Sequence, residues 1–188
     1  MVVKVHSLRE YFRDSLHSAL EHQQVSVGGE TEQYVVNLLT LFAHSDALFE
    51  QTADGARIRP LVVMLADALE AHSARERCAG LQRLGDVSLF VAGFFAQGFA
   101  RKLIDIDYHI AMGGRAYGTL SEAVRRSGRA ALGPVFGELA AKFQQMVDAL
   151  NEVSEAGYQY SDRDILRLYE VWLKTGSRRA ERLLSGLG

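Results

Sequence analysis

The chain has 188 residues, of which 48% are hydrophobic and 23% are charged, and its formal net charge is −2. This composition is that of an ordinary globular protein and excludes an intrinsically disordered chain. The almost balanced charge gives no global field that would draw the protein to nucleic acid or to an anionic membrane. We therefore predict one domain over residues 1–188, with a core large enough to need neither a disulfide nor a metal.

Cysteine usage and the apolar stretches bear on where the protein resides. Cys78 is the only cysteine, so the chain cannot form an intrachain disulfide, and a lone thiol is typical of a reducing compartment. Residues 1–6 are too short an apolar stretch for a signal peptide. The most apolar run, residues 87–100, is shorter than the roughly 20 residues that span a bilayer. We predict a cytoplasmic protein without membrane contact.

Apolar residues recur with helical spacing from Leu8 to Leu184, which predicts an all-α bundle of about seven to eight helices. No segment alternates with period two for long enough to predict a strand. Helix starts are predicted at three hydroxyl residues that precede a carboxylate by three positions, at two prolines and at an aspartate. These residues are Ser7, Ser73, Ser161, Pro60, Pro134, and either Asp105 or Asp107.

Helix ends are marked less often. Gly28 and Gly29 separate the first two helices, and Asp54-Gly55 ends a short apolar segment that contains Leu48 and Phe49. The sixth helix should run from Pro134 to a stop at Gly157. The helix around residues 80–100 is apolar on all sides in its second half, which predicts that it lies at the centre of the bundle.

The stretch from Leu84 to Thr119 is unusual because its predicted helices contain six glycines. Each costs roughly 1 kcal/mol relative to alanine in a helix interior, so something should compensate. We favour close approach of two central helices. The alternative is a pocket for a small apolar or cofactor-like molecule between the helices around 84–100 and 107–124. Its candidate lining residues are Asp86, Phe90, Phe94, Tyr108, His109, Met112, Arg115 and Tyr117.

Asp86 is the most interesting polar residue of this stretch. Helical periodicity can point its carboxylate inward, where an unpaired charge would cost several kcal/mol. It then needs a partner, for which Arg83, Arg115, Tyr108 and Tyr117 are the candidates. We favour a structural hydrogen bond over a catalytic acid with a raised pKa, and a position on the solvent face remains an alternative.

Sequence patterns for metals, haem and nucleophilic catalysis are weak. Asp105 and His109 are four residues apart, but a metal site needs three or four such ligands, and the other histidines show neither His-x-x-x-His nor Glu-x-x-His. Cys78 is interpreted as a small core residue, and no Gly-x-Ser-x-Gly nucleophile elbow is present. We therefore predict no catalytic residues, no metal and no cofactor.

A basic patch near the C-terminal end permits a nucleic-acid hypothesis. Lys174, Arg178, Arg179 and Arg182 surround a turn at Gly176 and resemble a helix-turn-helix in outline. The second helix is short and the rest of the chain is not basic. We favour cations that complement helix ends and a solvated face.

No family resemblance arises from these residues. The leading hypothesis is a non-enzymatic helical protein that acts through protein–protein contacts or self-association, as a homodimer or with another protein. Exposed aromatic residues would supply the interface anchors, and the candidates are Tyr11, Tyr34, Tyr158, Tyr160 and Trp172. The small-molecule pocket is the second hypothesis and DNA binding the third.

Overall fold

The computed structural model describes residues 7–43, 45–94, 106–127, 131–155 and 162–187. Within these residues the chain is almost entirely helical, as predicted, with one small hairpin. Its elements are α1 (Leu8–His22), α2 (Gly29–Phe42), α3 (Ser45–Leu48), β1 (Glu50–Thr52), β2 (Gly55–Arg57), α4 (Leu61–Glu70), α5 (Ala74–Phe94), α6 (Ile106–Arg126), α7 (Gly133–Ala141), α8 (Phe143–Ser154), α9 (Asp162–Thr175) and α10 (Arg178–Leu187).

Two of the predicted serine helix starts are built as the sequence indicates. The Glu10 amide donates to Ser7 Oγ at 3.2 Å and the Ser7 amide donates to Glu10 Oε2 at 3.0 Å, which completes a capping box at α1. The Glu76 amide donates to Ser73 Oγ at 3.1 Å at the start of α5. Pro134 lies in the first turn of α7. The proposed starts at Ser161 and Asp105, and the stop at Gly157, lie outside the described residues.

The hairpin β1–β2 was not expected from the sequence. The two strands pair in antiparallel fashion, with Thr52 opposite Gly55. Each strand has only three residues, all exposed, so no buried face imposes an apolar alternation. The Asp54-Gly55 dipeptide was the available signal, because such pairs favour tight hairpin turns and Gly55 has a φ of +110°.

The predicted sixth helix is divided into α7 and α8 at Lys142, whose φ of −115° and ψ of 26° depart from helical values. Lys142 Nζ donates to the Ser26 carbonyl and to Glu138 Oε1, so the bend is tied to the loop before α2. No glycine or proline stands at the bend to reveal it in the sequence.

Helix α5 lies at the centre of the described bundle, in contact with α2, α4, α6 and α8. Leu84, Val87 and Leu89 are essentially without exposed surface. The prediction of a central helix is confirmed for the part of residues 80–100 that the structure describes. None of the described helices is both long enough and apolar enough to cross a bilayer.

Candidate functional site

Gly80, Gly85 and Gly93 of α5 and Gly113 of α6 lie where side chains of neighbouring helices fill the space, whereas Gly114 and Gly118 have room for a Cβ atom. A Cβ atom at Gly113 would lie 2.2 Å from Phe143 Cζ and 2.7 Å from Ser88 Cβ, and one at Gly93 would lie 2.5 Å from Leu150 Cβ. Such distances are far below van der Waals contact, so a larger residue would force atoms apart. Close approach compensates for the conformational cost of glycine at these positions. Gly98 lies outside the described residues.

The phenylalanines proposed to line a pocket pack against other aromatic rings. Phe90 and Phe94 stack with ring centroids 5.1 Å apart and planes 5° from parallel. The ring of Phe42 meets Phe90 edge-on at 5.2 Å, and that of Phe12 meets Phe94 at 6.0 Å. Offset or edge-to-face rings at these distances are the arrangement of an aromatic core. Phe90 and Phe94 thus tie α5 to α2 and α1.

Asp86 lies where α2, α5 and α6 meet, and two tyrosines hold its carboxylate. Tyr117 of α6 donates to Asp86 Oδ1 at 2.6 Å, and Tyr34 of α2 donates to the same oxygen at 2.7 Å. Gln82 Nε2 in turn donates to the Tyr34 hydroxyl at 3.0 Å. Of the four partners considered from the sequence, Tyr117 bonds directly. Tyr34 was instead taken for an exposed interface anchor, and that assignment was wrong because its side chain is half-buried in this network.

Burial dominates the electrostatics of the Asp86 cluster. It raises the pKa of Asp86 to about 6, although the hydrogen bonds from Tyr117 and Tyr34 and the charge of Arg83 favour the ionised form. Burial and the neighbouring carboxylate raise the pKa of Tyr34 and of Tyr117 as well, so both remain hydroxyl donors. The arrangement joins three helices through hydrogen bonds.

The other candidate residues of α6 point in different directions. Tyr108 and Arg115 are exposed and do not contact Asp86, so two of its four proposed partners are excluded. His109 is buried and Met112 is half-buried. The side chains proposed for one pocket are therefore divided between the buried face and the exposed face of this helix.

No group of three or more His, Cys, Asp or Glu side chains in the described ranges is arranged to hold a metal ion. Asp105, one of the two residues in the Asp105 and His109 pair, lies outside those ranges. Cys78 is half-buried near the N-terminal end of α5.

The basic residues near the C-terminal end are partly engaged in the fold. Arg179 forms an ion pair with Glu155, and both side chains are more than nine-tenths buried. Lys174 Nζ lies 3.7 Å from Asp107 Oδ2 of α6. Arg178 and Arg182 are exposed. Two of the four cations proposed to bind DNA therefore face carboxylates of this chain.

Helix α10 is capped by Ser177, whose hydroxyl is held by a buried carboxylate. Asp148 of α8 accepts a hydrogen bond from Ser177 Oγ at 2.7 Å, and Ser177 Oγ accepts from the Ala180 amide at 3.1 Å. Burial raises the pKa of Asp148, opposed by its hydrogen bonds from Ser177 and Gln144. The turn between α9 and α10 is thus built to dock on α8, which explains its polar residues without nucleic acid.

Helix α4 carries a feature that sequence reasoning missed. Only two of its ten residues, Asp67 and Glu70, are charged. Leu61, Met64 and Ala68 pack into the core, while a second group of apolar residues faces solvent. We call this group the α4 face, and it consists of Val62, Val63, Ala66 and Leu69. A helix that is apolar all round is typically buried, and this pattern was the signal in the sequence.

The α4 face is a continuous patch, since its residues are neighbours on one side of the helix. Val62 is 60% exposed and Leu69 is 54% exposed. Helix α9 also exposes apolar residues, with Leu173 61% exposed. The exposed Leu166, Tyr169 and Leu173 follow one side of that helix, but six of its fourteen residues are Asp, Glu, Lys or Arg, against two of ten in α4. Exposed apolar residues on a highly charged helix are normal on protein surfaces, whereas a contiguous apolar patch on a weakly charged helix is typical of an interaction site.

Comparisons with protein-family models, with curated proteins and with solved structures find no match for this chain.

Proposed function

We propose that this protein is a non-enzymatic helical protein that acts by binding another protein molecule through the α4 face. The observation that carries the proposal is the exposure of Val62, Val63, Ala66 and Leu69 on one side of a helix with only two charged residues. Apolar surface removed from water contributes roughly 25 cal/mol per Å², so covering this patch favours association.

The contacts of the buried Asp86 carboxylate support a structural rather than a catalytic role. Asp86 shares one carboxylate oxygen between two tyrosine hydroxyls that come from different helices. Phe90 and Phe94, which follow Asp86 on the same helix, pack against each other as stacked rings. The half-buried lone thiol of Cys78 fits the cytoplasmic location that we propose with this function.

Site-specific photocrosslinking in cells that express the protein tests the proposal directly. A photoreactive phenylalanine analogue placed at Val62 reports any protein that covers the α4 face, whatever its identity. The matched control places the same analogue at Leu173 of α9, which is 61% exposed against 60% for Val62. We expect a discrete crosslinked band from position 62 and none from position 173.

A second variant distinguishes specific binding at the α4 face from crosslinking by random collisions between proteins. Ala66 is exposed at the middle of the α4 face, so Ala66→Glu adds a charge to the patch without entering the core. We expect it to abolish the band from position 62, because a buried unpaired charge opposes association. Absence of any band from position 62, or equal bands from both positions, would overturn the proposal.

A further inference from the structure

The α4 face is complementary to itself when two copies lie antiparallel. Val62 is four residues before Ala66, and Leu69 is three residues after it. A two-fold axis close to Ala66 therefore brings Val62 of one copy opposite Leu69 of the other. Ala66 is the smallest side chain of the face and stands at the crossing point, where small residues allow two helices to approach closely. Such a contact is isologous, as in the commonest homodimers.

The charges at the two ends of α4 also suit an antiparallel pair. The first turn of the helix contains no acidic residue, so the partial positive charge of its N-terminus has no carboxylate on its own helix. Glu70, exposed at the C-terminal end, lies on the same side as Val63 and Ala66. Antiparallel packing places each Glu70 near the N-terminal end of the other α4. A parallel pair would instead place the two Glu70 carboxylates side by side.

We infer that the partner of the α4 face is a second copy of this chain, packed with α4 antiparallel to α4 about a two-fold axis near Ala66. The inference deepens the proposed function and rests on it. Charges of both signs surround the face, since Arg59 precedes its N-terminal end while Asp67 and Glu70 lie toward its C-terminal end. Antiparallel packing brings the acidic end of one copy beside the arginine of the other, whereas a face rimmed by one sign of charge would select a partner of the opposite sign.

Disulfide formation between purified single-cysteine variants tests both the partner and the direction of packing. Cys78→Ser supplies a background without the native thiol, and cysteine is then placed at Ala66, Val62, Leu69 or Leu173. Bridged Cα atoms must lie roughly 4.4–6.8 Å apart. Two copies of Val62 in the antiparallel pair are offset by about 10 Å along the helix, because seven residues separate positions 62 and 69 at ~1.5 Å each.

We expect Ala66→Cys to form a disulfide-linked dimer with itself, at least about tenfold faster than Leu173→Cys, because thiols held in a complex have millimolar effective concentration. Val62→Cys and Leu69→Cys should each link slowly alone and rapidly when mixed. Rapid linking of Val62→Cys with itself would show parallel packing and overturn the inference. Equal rates for Ala66→Cys and Leu173→Cys would do so as well.

The two proposals fail in different ways. If photocrosslinking from Val62 captures a protein of different mass and Ala66→Cys does not link to itself, the second copy is wrong and the α4 face still binds protein. If position 62 captures nothing in cells, the proposed function itself fails, whatever the disulfide rates of the purified chain.

Discussion

Tyr117 fills the space beside Gly85 and donates a 2.6 Å hydrogen bond to the adjacent residue, Asp86. A Cβ atom at Gly85 would lie 2.5 Å from Tyr117 Cε1, so the ring can approach only because residue 85 has no side chain. The glycine therefore sets the distance between α5 and α6, and the carboxylate fixes the position of the tyrosine hydroxyl. Gly85 and Asp86 are neighbours in the sequence, and both shape the contact with Tyr117. Gly85 leaves room for the ring, and Asp86 accepts the hydrogen bond from its hydroxyl.

The first prediction concerns the pH dependence of stability at Asp86. Its pKa in the folded protein is raised to about 6 from an ordinary value of 3.8, so the fold prefers the protonated carboxyl. The stability that this group contributes is fully present below the ordinary pKa and is lost as pH rises toward 6. Asp86→Asn keeps a neutral side chain, and at pH 8 we expect it to exceed the wild type by roughly 1–3 kcal/mol.

Urea unfolding of both proteins at pH 4 and pH 8 measures this difference, and subtracting one protein from the other cancels the contributions of all other titrating groups. The advantage of Asp86→Asn should disappear at the lower pH. An advantage of the wild type that grows between the two pH values would show that the ionised carboxylate is favoured by the fold.

The second prediction compares adjacent glycines of α6. Gly113→Ala places a Cβ atom 2.2 Å from Phe143 Cζ, whereas at Gly114 the nearest atom would be 3.8 Å away. We expect Gly113→Ala to lower the free energy of unfolding by about 1–3 kcal/mol through overpacking. Gly114→Ala should be neutral or raise it by up to about 1 kcal/mol, since alanine favours the helix. Equal effects in thermal unfolding would refute close packing at Gly113.

The third prediction concerns the ion pair that docks α10. Arg179→Ala leaves the buried carboxylate of Glu155 without this guanidinium, and we expect a loss of about 3 kcal/mol in the free energy of unfolding. Arg182→Ala removes an exposed arginine from the same helix and should change it by less than about 0.5 kcal/mol. Chemical denaturation of both variants checks the contrast. A similar small effect in the two would mean that Arg179 is a surface cation after all.

The fourth prediction concerns the left-handed residue that follows the end of α1. Gln24 has a φ of +56°, and the Val25 amide bonds to the Leu20 carbonyl across the turn, as in a Schellman motif. A left-handed residue other than glycine is strained, so Gln24→Gly should stabilise the protein by up to about 1 kcal/mol. Gln33→Gly, in the interior of α2, should destabilise it by a similar amount. A higher melting temperature for the first variant and a lower one for the second are the expected readings.

The sequence was sufficient for the helical class and for the central helix because both follow from the spacing of apolar residues. The helix starts at Ser7 and Ser73 also depend only on neighbours in the chain, and they were predicted correctly. The hairpin β1–β2 was not predicted because all six of its strand residues are exposed, so its sequence shows no alternation of apolar and polar residues. The bend at Lys142 depends on contacts with Ser26 and Glu138, which no local pattern contains.

The contacts of Asp86 and the exposed side of α4 were harder to predict, because they too depend on residues that are distant in the sequence. Tyr117 could be named as a partner of Asp86 because both lie in glycine-bearing helices, but Tyr34 approaches from α2, 52 residues earlier in the chain. The exposure of Val62 and Leu69 depends on which side of α4 meets the core, and an all-round apolar helix leaves that side undetermined.

Light scattering of the purified protein over a dilution series is the most direct test of the α4 face as a self-association surface. We predict twice the mass of one chain at micromolar concentration for the wild type and for Leu173→Glu. Ala66→Glu should have the mass of a single chain, with an unchanged circular dichroism spectrum that shows it is folded. A single-chain mass for the wild type throughout, or dissociation by Leu173→Glu rather than by Ala66→Glu, would contradict the account.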